Sequence, residues 1–221
     1  MPATGKRALR GGSAVARGPQ KRGELTRQNV LEAALRLIAR EGLGAVRMRA
    51  VAEEAGVSLG VTTYHFATRS DLLSAAFEFH LLQTDAAGGE FSEQFATAWQ
   101  ADSITLDELS DAVVRLLAYF VHDERDSFVA SHELTLEVSR DPVLASRVKD
   151  ALSNHHQLVV EMVERVGSRE PELDGEILSA TLQGLALKWL SRPGDPEFEK
   201  RLHKVVRRLM ERFLTESAAG D

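Results

Sequence analysis

The chain reads as an all-α protein: a three-helix head containing a helix-turn-helix, followed by a larger helical-bundle body. Three observations lead there. Apolar residues recur with a helical period from Val30 to Phe213, and no stretch is rich enough in β-formers to read as a strand. Asp-Pro recurs as a helix start, in Arg140-Asp141-Pro142 and Gly194-Asp195-Pro196, with Asp as N-cap and Pro at the first helical position. The charge is also split. Residues 1–70 hold 12 Lys+Arg against 5 Asp+Glu and residues 71–221 hold 15 against 28, for a net charge of −6. A basic head on an acidic body points to a polyanion met by the head alone.

The first 23 residues carry Lys6, Arg7, Arg10, Arg17, Lys21 and Arg22, no acid and no apolar period. They read as a flexible basic arm, either a solubilising tail or a segment that tracks phosphates. Residues 24–69 form the head. Its first helix is expected to start near Thr26 as N-cap, with Leu25 and Val30 as a hydrophobic staple. Val30, Ala33, Ala34, Leu37 and Ile38 line its buried face, and Gly42 ends it. A short second helix turns Met48, Val51, Ala52 and Ala55 inward. Gly56 then permits a tight turn, Val57 plugs the core, and Ser58 caps a third helix over about 59–65. This third segment, Gly56 to Phe66, has no formal charge, and its tyrosine, histidine and threonines are expected to face solvent. An ordinary helical hairpin would need neither that polar, aromatic helix nor the arginines ahead of it.

The body, residues 70–221, reads as helical almost throughout. A helix capped by Thr68 or Ser70 runs to about Thr84. Residues 86–104, with adjacent glycines and weak period, read as a loop with a partial helix. Thr105 and Glu108 make a capping box, Phe128 to Ser139 gives a turn or two of helix, and a helix starts after Pro171. The Asp-Pro helices run about 25 and 20 residues, to near Gly167 and Ser217.

Arg47 to Leu72, "RMRAVAEEAGVSLGVTTYHFATRSDLL", resembles the helix-turn-helix of the tetracycline-repressor (TetR) family of transcription regulators. The match is strong over about 26–78 and compatible beyond, and "HELTLEVSRDPVLASRV" looks like body segments of some actinobacterial members. The resemblance implies a homodimer that binds double-stranded operator DNA through its heads and a small-molecule effector in its bodies, and so a repressor released by that effector. It implies that Arg49 reaches a guanine or phosphate, that Gly60 and Val61 approach bases, and that Tyr64 and His65 meet phosphates. Phe66 becomes a buried plug and Arg69 holds a phosphate. Three positions depart from the family pattern. Leu59 stands for the common lysine and offers a thymine-methyl contact, Thr63 for the first aromatic of a pair, and Arg47 for a threonine cap of the second helix. With Ser58, these residues make the expected DNA-reading surface, whose arginines hold phosphates and set the register.

For dimerisation the last two helices are expected to contribute Leu178, Leu182, Leu185, Leu202, Val206, Leu209 and Phe213. The penultimate helix has a second apolar face of Ile177, Ala180, Gly184 and Leu187, and a helix apolar on two sides must bury both. A central helix of a monomeric bundle would look similar. The effector pocket is expected from Phe77, His80, Leu81, Phe120, Phe128, His132 and Trp189, with Trp99, His155 and Glu137 as further aromatic or polar groups.

Other functions fit less well. The absence of cysteine excludes a disulfide scaffold, zinc-thiolate site and thiol nucleophile. No phosphate loop, nucleophile elbow or His-Glu-x-x-His motif is present, so neither an enzyme, a cofactor nor a metal is expected. A DNA architectural protein without effector would be basic throughout. No signal-like stretch opens the chain and apolar runs such as Leu116 to Val121 stop short of a membrane span, so a cytoplasmic location without membrane contact is expected.

Overall fold

The structure, a computed structural model, describes residues 18–101, 104–165 and 167–218; the side chains of 18–20, 99 and 213–218 lie outside that description. Every regular element among the described residues is helical. The basic arm up to residue 17 falls outside, and so do the side chains of Trp99 and Phe213.

The head consists of α1 (Gly18–Glu41), a 3₁₀ turn (Leu43–Ala45), α2 (Met48–Glu54) and α3 (Leu59–His65). α1 starts eight residues before the expected cap at Thr26. The Thr26 hydroxyl donates back to the Arg22 carbonyl at 2.8 Å, as a threonine inside a helix does, and Leu25 is 58% exposed, so no staple forms. At the other end Gly42 closes α1 with φ +78°, its N–H on the Ile38 carbonyl at 2.8 Å.

α4 (Arg69–Gln100) leaves the head and runs through the segment expected to be a loop. Thr68 is its cap: the Asp71 N–H donates to the Thr68 hydroxyl at 3.1 Å, and the Thr68 N–H to the Asp71 carboxylate at 2.8 Å. Adjacent glycines weaken helix propensity by about 1 kcal/mol each relative to alanine, but tertiary packing overrides that preference. α4 lies along α7, and a β-carbon on Gly88 would meet Met162 Cε at 3.2 Å. The glycine is there for close approach. Further along, Phe91 and Phe95 stack at 4.5 Å against the body core, and Gln100 donates to the Arg165 carbonyl at 2.8 Å.

The remaining elements are α5 (Leu106–Ala118), a π-helical turn (Tyr119–Asp123), α6 (Arg125–Val138), α7 (Pro142–Arg165), α8 (Pro171–Leu190) and α9 (Pro196–Ala218). The Thr105–Glu108 capping box forms in full. Asp141 accepts from the Val143 N–H at 2.9 Å and Asp195 from the Glu197 N–H at 3.0 Å, so both Asp-Pro starts act as read.

Two apolar cores result. The first joins Val30, Leu31, Ile38, Val51 and Phe66 of the head to Leu72 and Phe77 of α4, Leu134 of α6, and Leu144 and Val148 of α7. The second joins α5, the π turn, α8 and α9 around Leu117, Leu185, Trp189, Leu202 and Val206. α1 packs on α6, so head and body share the first core.

Candidate nucleic-acid interface and body cavity

The α2–α3 turn is built tightly. Gly56 sits at φ +67°, where a β-carbon is strained, and the Asn29 amide donates across to the Ala55 carbonyl at 2.8 Å, closing the end of α2. Glu54 receives Arg40 at 2.9 Å and Arg36 at 3.3 Å, tying α2 to α1. These contacts hold the Glu54 carboxyl below its usual range, the Arg40 hydrogen bond first, against the opposing effect of burial. Arg47 caps α2 without a side-chain bond, as expected once an arginine replaces a threonine.

α3 is set by Ser58, whose hydroxyl accepts from the Val61 N–H at 3.3 Å. Tyr64 is 84% exposed, Leu59 is exposed, and the ring of His65 meets Tyr64 edge-on at 5.1 Å. Thr63 is exposed, but its hydroxyl donates to the Leu59 and Gly60 carbonyls at 3.1 and 3.2 Å, so it shows a methyl outward. Val61 is half-buried. A β-carbon on Gly60 would meet nothing nearer than Ser58 Oγ at 3.8 Å, so the protein itself does not need glycine there. Thr62 corrects the expectation that the threonines face solvent: it is fully buried, and its hydroxyl has no partner. Phe66 is the buried plug, with the Arg27 guanidinium 5.4 Å above its ring.

The head's arginines fall into two groups. Arg36 and Arg40 are committed to Glu54. Arg69 is partly committed: it donates from Nε to the Val46 carbonyl at 2.9 Å and from an Nη to the Leu43 carbonyl at 2.8 Å, while staying exposed. Its part in pinning the 3₁₀ turn was invisible in the sequence. Arg47 and Arg49 are exposed and take no internal ion pair among the described residues.

In the body, a cavity of about 360 Å³ lies between the two cores, between α4, α5, α6, α7 and α8. Phe77, His80, Leu81, Phe120, Phe128 and His132 line it. Trp189 does not: it is buried in the second core, edge-on to His122 at 5.2 Å. Nor does Glu137 reach the lining. His80 Nδ1 pairs with the Ser127 hydroxyl at 2.8 Å, and burial, then repulsion from His155 and His132, push it down to about 4, so it is neutral. His132 donates from Nδ1 to the Phe128 carbonyl at 2.8 Å. His155 Nδ1 pairs with Asp85. Asp85 was missed in the sequence because its partner lies 70 positions away on another helix.

The expected dimer face needs the larger correction. Leu202 is 1% exposed, Val206 is buried, and Leu185 lies in the same core, while Leu178 and Leu182 line the cavity. Leu209 packs half-buried on that core. These stripes serve the protomer. The outward face of α8 is the other one: Leu173, Ile177 and Leu187 are about half exposed, Ala180 is exposed, and Gly184 has open space where a β-carbon would go.

Among the described residues no helix is long and apolar enough to cross a membrane, and no cluster of His, Asp and Glu is arranged to hold a metal.

Comparison with known proteins gives a consistent result. Residues 30–76 match the model for bacterial regulatory proteins of the tetR family, and residues 105–215 that for a tetracyclin repressor-like C-terminal domain. The HTH-type transcriptional regulator AcrR of Shigella flexneri is 24% identical over 212 residues, covering 90% of this chain and 94% of that protein. A solved TetR-family member from Streptomyces coelicolor A3 is 28% identical with a TM-score of 0.61, covering 83% of this chain and 97% of its own. The multidrug binding protein EbrR complexed with ethidium is 26% identical with a TM-score of 0.58, covering 83% and 98%. With a helix-turn-helix head matched by one family model and half the chain matched as its regulatory body, the protein belongs to the TetR family of DNA-binding transcriptional regulators.

Proposed function

We propose that this regulator is a homodimeric, cytoplasmic repressor whose heads (24–69) read operator DNA and whose bodies (70–221) bind a small effector that releases it. The observation that carries the DNA reading is the contrast on the head surface. An uncharged, exposed α3 stands beside Arg47 and Arg49, which have no internal ion pair. Leu59, Gly60, Val61 and Thr63 offer apolar and backbone surface to base edges, and Gly60 leaves room for close approach. Tyr64, His65, Arg47, Arg49 and the free edge of Arg69 take phosphates, and Ser58 holds the helix in place.

The dimer forms through the outward face of α8, Leu173, Ile177, Ala180, Gly184 and Leu187. Large apolar residues exposed along one helix face are supported by a partner surface. The effector fills the cavity between the two cores, and the similar EbrR, a multidrug binding protein complexed with ethidium, supports a small-molecule ligand. Because Phe77, His80 and Leu81 lie on α4, which begins at the head, a ligand there acts on head position.

Tyr64→Ala tests the interface. Gel-shift affinity for the protein's own promoter region should fall while the melting temperature holds, since Tyr64 is almost fully exposed. Unchanged affinity would take α3 out of the DNA-reading role.

A further inference from the structure

We propose that the body cavity selects a cationic aromatic ligand, a quaternary or protonated amine, with Asp85 as its counter-charge. This rests on the reading of the cavity as the effector site and assigns the chemical class of its occupant.

The lining itself makes the argument. Among the described residues no lysine or arginine faces the cavity, so none there compensates a carboxylate, phosphate or sulfonate. An anion would be buried without a partner, which costs several kcal/mol by the general penalty on unpaired buried charge. Phe77, Phe120 and Phe128 supply three aromatic rings, whose faces attract cations. Polar groups are few and mostly spent: the hydroxyls of Ser131 and Ser179 donate to the carbonyls of Phe128 and Glu176, and His132 donates to Phe128.

Among the described residues the only formal negative charge in the lining is Asp85 on α4, and its carboxylate is 12% exposed. Its partner is His155 on α7. The other titratable groups of the lining are His80, also from α4, and His132 from α6; α5, the π turn and α8 contribute none. His80 is held neutral by burial, and His132 gives its Nδ1 proton to a backbone carbonyl. Asp85, held by His155, is therefore the group of the lining that an arriving cation meets.

The test is calorimetry on the full-length protein with three probes of one size: a naphthyltrimethylammonium salt, its neutral isostere tert-butylnaphthalene, and naphthalenesulfonate. We expect the cation to bind about 10-fold or more tightly than the neutral isostere, as a charge-assisted contact gives, and the anion most weakly. Asp85→Asn should erase the preference for the cation while leaving affinity for the neutral isostere in place, which also shows that the variant is folded. Equal or tighter binding of the neutral isostere to the unmodified protein overturns the charge assignment and leaves the effector cavity standing. So does a cation preference that survives Asp85→Asn. Binding by none of the three overturns both.

Discussion

The head and the body solve opposite problems with the same kind of helix. In the head the apolar side chains of α1 from Val30 to Ile38 pack without a gap, and the polar groups that matter point outward. In the body the helices stop short of one another and leave about 360 Å³ lined by phenylalanine and imidazole. A surface that reads DNA must hold its side chains fixed against a rigid duplex, so its support is packed solid. A pocket needs space, and space means cohesion given up. The seam falls between the two cores, the one place where neither loses its own packing.

The most severe way to break that contrast is to cut the core that both regions share. Leu134 lies on α6, in the body, yet it is fully buried in the cluster that includes Val30 and Ile38 of α1. Leu134→Ala should cost about 3–5 kcal/mol of stability, the range for a buried leucine whose site cannot collapse. Hydrogen exchange should then quicken in α1 as well as in α6. Faster exchange confined to α6 would mean that head and body are independent after all.

A smaller effect sharpens the picture of the cavity wall. His80 is held neutral in the folded state down to about 4, mainly by burial, whereas its ordinary value is 6.5. Between these values the unfolded chain binds a proton that the folded chain does not, so stability should fall as pH drops through that window. The loss should reach about 2 kcal/mol at pH 5 relative to pH 7, measured by urea unfolding, and His80→Gln should largely remove it. The lowered carboxyls of Glu54 and Asp71 titrate below this range and do not mimic it. Stability that is flat from pH 7 to 5 would mean that His80 is solvated.

The smallest expected effect separates two arginines that look alike in the sequence. Arg49→Ala should weaken DNA binding by about 1–3 kcal/mol and leave the melting temperature unchanged. Arg69→Ala should weaken binding to all sequences and also lower the melting temperature, because two carbonyls of the preceding turn lose their donor. If only the first effect appears at Arg69, its carbonyl contacts carry no weight.

What could be read in advance follows from how local each determinant is. Ser58, Thr105, Asp141 and Asp195 cap their helices through backbone groups two or three residues away, so their roles show in the sequence. Phe77, His80, Leu81, Phe120, Phe128 and His132 lie on inward stripes, and the cavity they line follows from that spacing. Thr26 failed because a threonine that caps well also sits tolerably inside a helix. Gly88 failed because its reason is Met162, on another helix. On α8 both faces are apolar, and periodicity alone carries no information about which one turns inward. The Asp85–His155 pair needs the fold to exist before it can be seen.

The shared first core also bears on grafting. A chimaera made by cutting at the start of α4 would divide that core. Such a cut would part Val30, Ile38 and Phe66 from the side chains that complete their core, Leu72 of α4, Ala130 and Leu134 of α6, and Leu144 and Val148 of α7. A transplanted head would inherit its operator and lose its seat. The transferable cassette is therefore discontinuous: the first helices together with the inner faces of α6 and α7, carried as one mould.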